Sequence, residues 1–214
     1  MTATVCPTFR FLFVCTGNIC RSPFAEIFTR HALEQASAPE RSPFEVASAG
    51  VAAVIGSAIH PASRAALEQF GIPDAAGAPF RARQLTAGHV AAADVVLGAA
   101  PIHRGEALRL WPRALPTAFT LREFARLVQL VDLEALPAAP VARARALVEA
   151  ARAARGMTPP VSPEANTVPD PMGGSAADHL NSARIAADAL RVTLAALAPD
   201  LGAVLRRPAA FITD

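Results

Sequence analysis

Hydrophobic and polar positions along this chain alternate between two rhythms, short apolar runs and longer stretches spaced near 3.6 residues. Phe9-Arg10-Phe11-Leu12-Phe13-Val14 is short and β-prone, which predicts a buried strand. Phe24, Ile27, Phe28 and Leu33 then mark a helix from about Ser22 to Ala36, followed by a loop with Pro39 and Pro43. Phe44-Glu45-Val46-Ala47-Ser48 alternates as a strand and stops at Ala49-Gly50. His60-Pro61 opens a helix running through Leu67 and Phe70, ended by Gly71 and Pro73. Leu85-Thr86 begins a short helix, and Ala93 to Gly98 reads as a buried strand. A further helix spans Ile102 to Trp111, Pro116 to Thr120 is a weak strand, and Leu121 to Val131 is an amphipathic helix. The rhythm then breaks. Pro137 and Pro140 interrupt it, Val141 to Arg155 alternates alanine with arginine in a helical pattern, and Gly156 to Pro169 is proline-rich. Ala176 to Leu197 predicts a long last helix, with Ile185, Leu190, Leu194 and Leu197 packing on the sheet.

Strands alternating with helices predict an α/β fold, a doubly wound parallel sheet flanked by helices, with ligand bound at the carboxyl end of a strand. Residues 1–214 read as one domain carrying an atypical helical and proline-rich insertion at about 132–168. That insertion reads as a peripheral helix plus surface loop, with a lid or partner-docking role as the sharper alternative. Composition narrows the function. The formal charge is +2 with no dominant basic run, so no nucleic-acid partner is implied. No apolar stretch has spanning length, and Met1 to Pro7 lacks the pattern of a secretory leader, so the expected location is cytoplasmic, without a membrane partner. Three cysteines make no disulfide framework, and Cys6 reads as incidental.

The chemistry concentrates in Cys15-Thr16-Gly17-Asn18-Ile19-Cys20-Arg21-Ser22-Pro23, where the first strand ends and the first helix begins. Ser22 followed by Pro23 is a good helix start, an oxygen for orphan amides and a ring with no N–H to lose. Amides converging in such a loop, together with the helix dipole, hold an anion. The same field favours the thiolate form of Cys15. Arg21 can grip two phosphate oxygens at once, which places Cys15 beneath a bound phosphoryl group for in-line attack. A second candidate stands in Val168-Pro169-Asp170-Pro171-Met172-Gly173-Gly174. Prolines flank Asp170, so its carboxyl is presented rigidly and is not absorbed by helix capping. Asp-Pro is common in turns, but beside a thiol-phosphate loop Asp170 is the candidate acid for the leaving group.

These two motifs make the chain resemble the low-molecular-weight protein tyrosine phosphatase family. Val14 to Pro23 matches the family loop almost letter for letter, and Pro169-Asp170-Pro171 matches its acid loop. Weaker matches are Val46 to Gly50, His60-Pro61, Arg81 to Leu85 and Ala93 to Leu97. The resemblance implies a four-stranded parallel sheet and a cysteine-dependent protein tyrosine phosphatase working through a phosphocysteine. It implies Cys15 as nucleophile, and Arg21 with the amides of Thr16, Gly17, Asn18, Ile19, Cys20 and Arg21 as the phosphate cradle. Ser22 would hydrogen-bond the leaving thiolate. Asn18 would hold the loop through a network reaching Ser48, and Asp170 would act as acid and then base. It implies no cofactor and no metal, since arginine and amides supply the positive charge. Cys20 would be able to pair with Cys15 as a reversible oxidation shield. The implied partner is a phosphotyrosine-containing protein, a bacterial tyrosine kinase among the possibilities.

The departures lie at the rim. Family members carry aromatic walls in the loop after Ser-Ala-Gly and again after Asp-Pro. Val51 to Gly56 and Met172-Gly173-Gly174 contain none, and Phe80 replaces a polar, often histidine, position. Three rivals therefore stand beside aryl phosphate hydrolysis. Arsenate reduction through later cysteines is disfavoured, because no cysteine follows Cys20. In phosphoarginine phosphatases threonine replaces Ile19, so Ile19 favours the aryl side. A non-catalytic phosphate-binding scaffold would not need the full set of Cys15, Arg21, Ser22 and Asp170. Finally, His31, His89 and His179 show no ligand spacing, and His60 and His103 read as structural.

Overall fold

The computed structural model describes residues 7–36 and 42–197. The readings of the first six residues, Cys6 included, and of Pro39 lie outside that range. Among the described residues the strands are β1 (Phe9–Cys15), β2 (Phe44–Gly50), β3 (Val95–Gly98) and β4 (Ala118–Thr120). The α-helices are α1 (Arg21–Ala36), α2 (Pro61–Glu68), α3 (Ala87–Ala92), α4 (Pro101–Leu110), α5 (Leu121–Val128), α6 (Pro140–Arg155) and α7 (Ala176–Leu197). The strands pair in parallel in the order β2-β1-β3-β4, as expected for a doubly wound sheet.

Strand periodicity builds two cores. Phe9, Phe11 and Phe13 of β1, with Val95, Leu97 and Phe119, face one layer of apolar helix residues. Leu12 and Val14, with Val96 and Ala118, face a smaller layer that includes Val90 of α3 and Ala107 of α4. Successive strand residues point to opposite faces, so a run apolar at nearly every position is what a sheet covered on both sides requires.

Three expectations change. Helix α5 ends at Val128, with Gln129 as its C-cap, rather than at Val131. Helix α7 lies chiefly against α1, α2 and α5, so it forms part of a helical layer rather than resting on the sheet alone. Helix α6 is not a surface appendage. It buries Ala144, Leu147 and Ala151 in the larger core, and its last residue, Arg155, lies 4.1 Å over the Phe119 ring. Arg155 also donates to the Ala118 carbonyl at 2.9 Å and to Glu123 Oε1 at 2.8 Å. Arg104 Nε donates to the same Ala118 carbonyl at 2.9 Å, so two arginines together occupy an edge-strand acceptor. Inside the same helix, buried Arg143 donates to the carbonyls of Ala196 and Leu133. Among the described residues no helix is long and apolar enough to cross a membrane.

Candidate active site

The site begins where β1 runs out. Cys15 pairs with Gly50 in the sheet register, and residues 16–20 bend tightly before α1 starts at Arg21. The carbonyls of Cys15, Thr16, Gly17 and Ile19 turn outward, accepting from the amides of Val51, Ala52, Val54 and His60 at 2.7–3.0 Å. In a planar trans peptide the next N–H points the opposite way. The amides of Thr16, Gly17, Asn18 and Cys20 are therefore turned to the other side of the loop. The Cys20 carbonyl accepts from Phe24 within the first helical turn, which leaves the Arg21 amide among the orphan donors of α1. This is an anion cradle assembled by fixing the carbonyls. Two backbone demands make it possible. Asn18 takes a left-handed φ of 53°, which asparagine tolerates better than most residues. A Cβ at Gly50 would lie 2.5 Å from the Thr16 carbonyl oxygen, so only glycine admits the close approach of β2.

Beneath the loop runs a directional chain of hydrogen bonds. Asn18 Nδ2 donates at 2.8 Å to both Ser22 Oγ and Ser48 Oγ. Ser22 Oγ then donates to Cys15 Sγ at 3.0 Å, and Ser48 Oγ donates to Glu26 Oε2 at 2.6 Å. Asn18 Oδ1 accepts from the Arg83 amide at 2.8 Å. The serine therefore does not cap α1 as its position before Pro23 suggests. It sits inside the first turn with its hydroxyl committed to the thiol. Glu26 is a buried carboxylate, matched by Arg30 and by Arg83 Nη2 at 3.4 Å. Sequence reading passed over Glu26, although it lies four residues after Ser22 and four before Arg30, on one helix face.

Arg21 carries the site's fixed positive charge and is only 7% exposed. Its Nη2 donates to Thr16 Oγ1 at 3.2 Å and to Asp170 Oδ2 at 2.6 Å, while its buried Nε has no hydrogen-bond partner. Asp170 thus reaches the loop from the far end of the sequence, with its side chain 47% exposed. Its carboxylate is held by Arg21 and by the Met172 amide at 3.3 Å, rather than projecting alone.

His103, at the start of α4, is a second residue that sequence reading set aside. Its Nε2 lies 3.0 Å from Thr16 Oγ1. Thr16 Oγ1 also accepts from Arg21 Nη2, so one hydroxyl joins the guanidinium to the imidazole, while His103 Nδ1 is buried without a hydrogen-bond partner. Burial, with Arg21 adding repulsion, pushes the His103 pKa down to about 4, which keeps the ring neutral. The remaining histidines are not all scattered. The fold brings His60 and His179 beside Cys20, which sequence spacing gave no reason to expect.

The rim is aliphatic. Val54, whose amide binds the Gly17 carbonyl, is 48% exposed, Ile55 is 71% exposed, and Met172 is 52% exposed. Phe80 is buried in the core and contributes nothing to the rim.

Comparison with known proteins agrees with this architecture. Residues 10–137 match the profile of low molecular weight phosphotyrosine protein phosphatases. A protein-arginine-phosphatase from Geobacillus stearothermophilus is 37% identical over 116 residues, covering 54% of this chain and 71% of that protein. A probable low molecular weight protein-tyrosine-phosphatase, EpsP, from Ralstonia solanacearum is 35% identical over 112 residues, covering 52% and 70%. The solved low molecular weight protein tyrosine phosphatase from T. tengcongensis superposes with a TM-score of 0.62 at 23% identity, covering 87% of this chain and 98% of the other, a likeness of fold. Matched through its thiol loop and most of its sheet, the chain belongs to the low molecular weight phosphotyrosine protein phosphatase family.

Proposed function

We propose that this protein hydrolyses aryl phosphate monoesters, phosphotyrosine in a protein substrate foremost, through a phosphocysteine at Cys15. The observation that carries the reading is the meeting of thiol, guanidinium and carboxyl from opposite ends of the chain. Cys15 Sγ accepts from Ser22, and Arg21 is bonded to Asp170 at 2.6 Å. A phosphoryl group entering the loop takes donors from the backbone amides and from Arg21, including its unpartnered Nε. Arg21 then releases Asp170, which takes up the proton that the Cys15 thiol gives up on becoming thiolate and turns toward the leaving oxygen. Cys15 attacks phosphorus in line, the S–P bond forms as the P–O bond breaks, and Asp170 gives its proton to the departing phenolate. In the second step Asp170 takes a proton from water, the oxygen attacks phosphorus, and the S–P bond breaks. The Ser22 hydroxyl stabilises the sulfur as it leaves with negative charge.

A second reading rests on the rim and on one relative. No aromatic side chain occurs in the Val51–Gly56 or Met172–Gly174 stretches, and a relative at 37% identity is named a protein-arginine-phosphatase. Cleavage of a P–N bond in phosphoarginine would use the same thiol and acid. Parallel assays with p-nitrophenyl phosphate, a phosphotyrosine peptide and a phosphoarginine peptide decide between them, with Cys15→Ser and Asp170→Asn as controls. Turnover of both aryl substrates, lost in Cys15→Ser, supports the first reading. Preference for the phosphoarginine peptide establishes the second. A folded wild type inert toward all three defeats both.

A further inference from the structure

Cys20 lies within the phosphate loop, yet its thiol takes no part in the hydrogen-bond chain under Cys15. It faces the other way, into a small buried space shared with Phe24, Ser63, His179 and Ser182. His60, immediately before α2, and His179, in the first turn of α7, converge on the same point. One ligand atom from each of Cys20, His60 and His179 can be chosen so that all lie within 4.8 Å of one another. The two imidazole rings are stacked, 4.4 Å between centroids and 11° apart. A thiol and two imidazoles from three separate elements, converging on one largely buried spot, answer to no need of the hydrolysis derived above.

We propose that Cys20, His60 and His179 form a binding site for a thiophilic divalent cation of the zinc class. Zinc takes thiolate at about 2.3 Å and imidazole at about 2.0–2.1 Å, which sets tetrahedral donor separations of about 3.3–3.6 Å. The donors lie within 4.8 Å of one another, and because imidazole lone pairs lie in the ring plane, binding requires the two stacked rings to turn out of parallel. The outer partner is already present. His179 Nδ1 lies 2.8 Å from Ser63 Oγ, the kind of second contact that orients a metal-binding imidazole, and in the tautomer where Nδ1 donates to Ser63 the Nε2 lone pair is free. Both Cys20 and His179 are almost sealed from solvent, whereas His60 is partly exposed and gives the ion a way in. Met172 Sδ lies 3.4 Å from Cys20 Sγ, a soft thioether close to the thiol.

The surrounding charges are mixed. Arg21 opposes a cation at Cys20, while the Asp170 and Asp178 carboxylates act on His179 in the opposite sense. Burial pushes the Cys20 thiol up to about 11 and lowers His179 from its ordinary range, so the resting cluster is a neutral thiol beside a neutral imidazole. Zinc binding displaces the thiol proton and forms the S–Zn bond, with one proton released to solvent per ion. His60 Nδ1 accepts the Ala62 amide at 3.3 Å, a long bond that ligation through Nδ1 would give up and ligation through Nε2 would keep. The consequence for the neighbouring site is chemical. A coordinated Cys20 is unavailable for disulfide formation with Cys15.

The test uses the full reduced chain, zinc in competition with a chromophoric chelator, and cobalt(II) as a spectroscopic substitute. The expected result is one ion per chain, with a thiolate-to-cobalt charge-transfer band and the visible bands of a tetrahedral site. Cys15→Ser should bind as the wild type does. Cys20→Ser should lose the charge-transfer band and about 100-fold in affinity, and His179→Gln about 10-fold or more. His60→Asn retains a side-chain oxygen for the α2 cap and should also weaken binding. If Cys20→Ser does not fold, the two histidine variants and the cobalt spectrum decide. Absence of one-to-one binding, wild-type affinity or an unchanged charge-transfer band in Cys20→Ser, or binding lost in Cys15→Ser overturns the proposal. The last outcome would put the ion on the thiol assigned to phosphate chemistry. Because the readout is metal binding and its spectrum, it is separate from whether the protein hydrolyses any phosphate.

Discussion

The floor and the rim of the site obey different rules. On the floor, Cys15, Asn18, Ser22, Ser48 and Glu26 are all buried and linked by bonds of 2.6–3.0 Å, each hydroxyl donating once and accepting once. At the rim, the side chains of Val54, Ile55 and Met172 stand about half exposed or more and make no comparable network. A buried polar chain tolerates little substitution, since each lost partner strands another group. An exposed aliphatic rim changes cheaply. The chemistry of phosphoryl transfer is therefore preserved in a place where it is costly to alter, and substrate choice has been left where it is not.

The largest test of that contrast removes floor groups that touch the reacting atoms. Cys15→Ser should reduce turnover of p-nitrophenyl phosphate by about 10⁵-fold or more, since the thiolate is lost and a serine hydroxyl scarcely ionises in its place. Arg21→Lys should cost about 10²–10³-fold, because one ammonium replaces a forked donor that is already buried. Both are read by steady-state kinetics on protein shown to be folded by its melting curve. An Arg21→Lys enzyme within a few-fold of wild type would mean that the backbone amides carry the transition-state charge unaided.

Asp170→Asn should cost about 10²–10³-fold on a phosphotyrosine peptide and far less on p-nitrophenyl phosphate, whose leaving group scarcely needs a proton. Equal losses on the two substrates would assign Asp170 to holding Arg21 instead, a role its 2.6 Å contact also permits.

How much of this was legible follows from where the constraint sits. The strand, loop and helix around Cys15 could be read because each local feature there agrees: apolar run, glycine, thiol, arginine, then proline. Asp170 could be read because prolines isolate it. Glu26 and His103 could not, because each is one polar residue in a helical pattern and gains meaning only from Ser48 and Thr16, which the fold brings to it. The same holds for Cys20, His60 and His179, joined only when α1, α2 and α7 pack together. Helix α6 was placed correctly along the chain and misjudged in space. Its alternating alanine and arginine looks like a solvated surface until Arg143 and Arg155 are seen bonding buried carbonyls.

His103 offers a test of the floor by pH. The unfolded chain protonates this residue near pH 6.5, and the folded chain only near 4. Between those values the unfolded state binds the extra proton, so folding stability falls as pH falls. The loss is on the order of 3 kcal/mol at the lower end. His103→Gln, whose amide offers Thr16 both a donor and an acceptor, should flatten the part of the pH–stability curve between 6.5 and 4 that belongs to this residue. Denaturant melts of both proteins at pH 7 and pH 5 measure it. An unchanged slope in the variant would place the titration elsewhere.

The smallest effect expected is at the rim, and it carries the most information about substrate. Ile55 is 71% exposed and Met172 is 52% exposed, so an aromatic side chain at either position has room without displacing the core. Ile55→Trp and Met172→Tyr should each improve kcat/KM on a phosphotyrosine peptide by about 2–10-fold, the value of one added ring contact of about 0.5–1.5 kcal/mol. The gain should appear in KM, because a wall that grips the ring binds ground and transition states alike. A phosphoarginine peptide, with no ring to grip, serves as the internal control and should not gain. If both substrates improve equally, the new side chains act by excluding water from the loop. If neither improves, the aliphatic rim does not limit tyrosine recognition, and specificity must then be sought in the floor at Ile19, the loop position that is partly buried against the core.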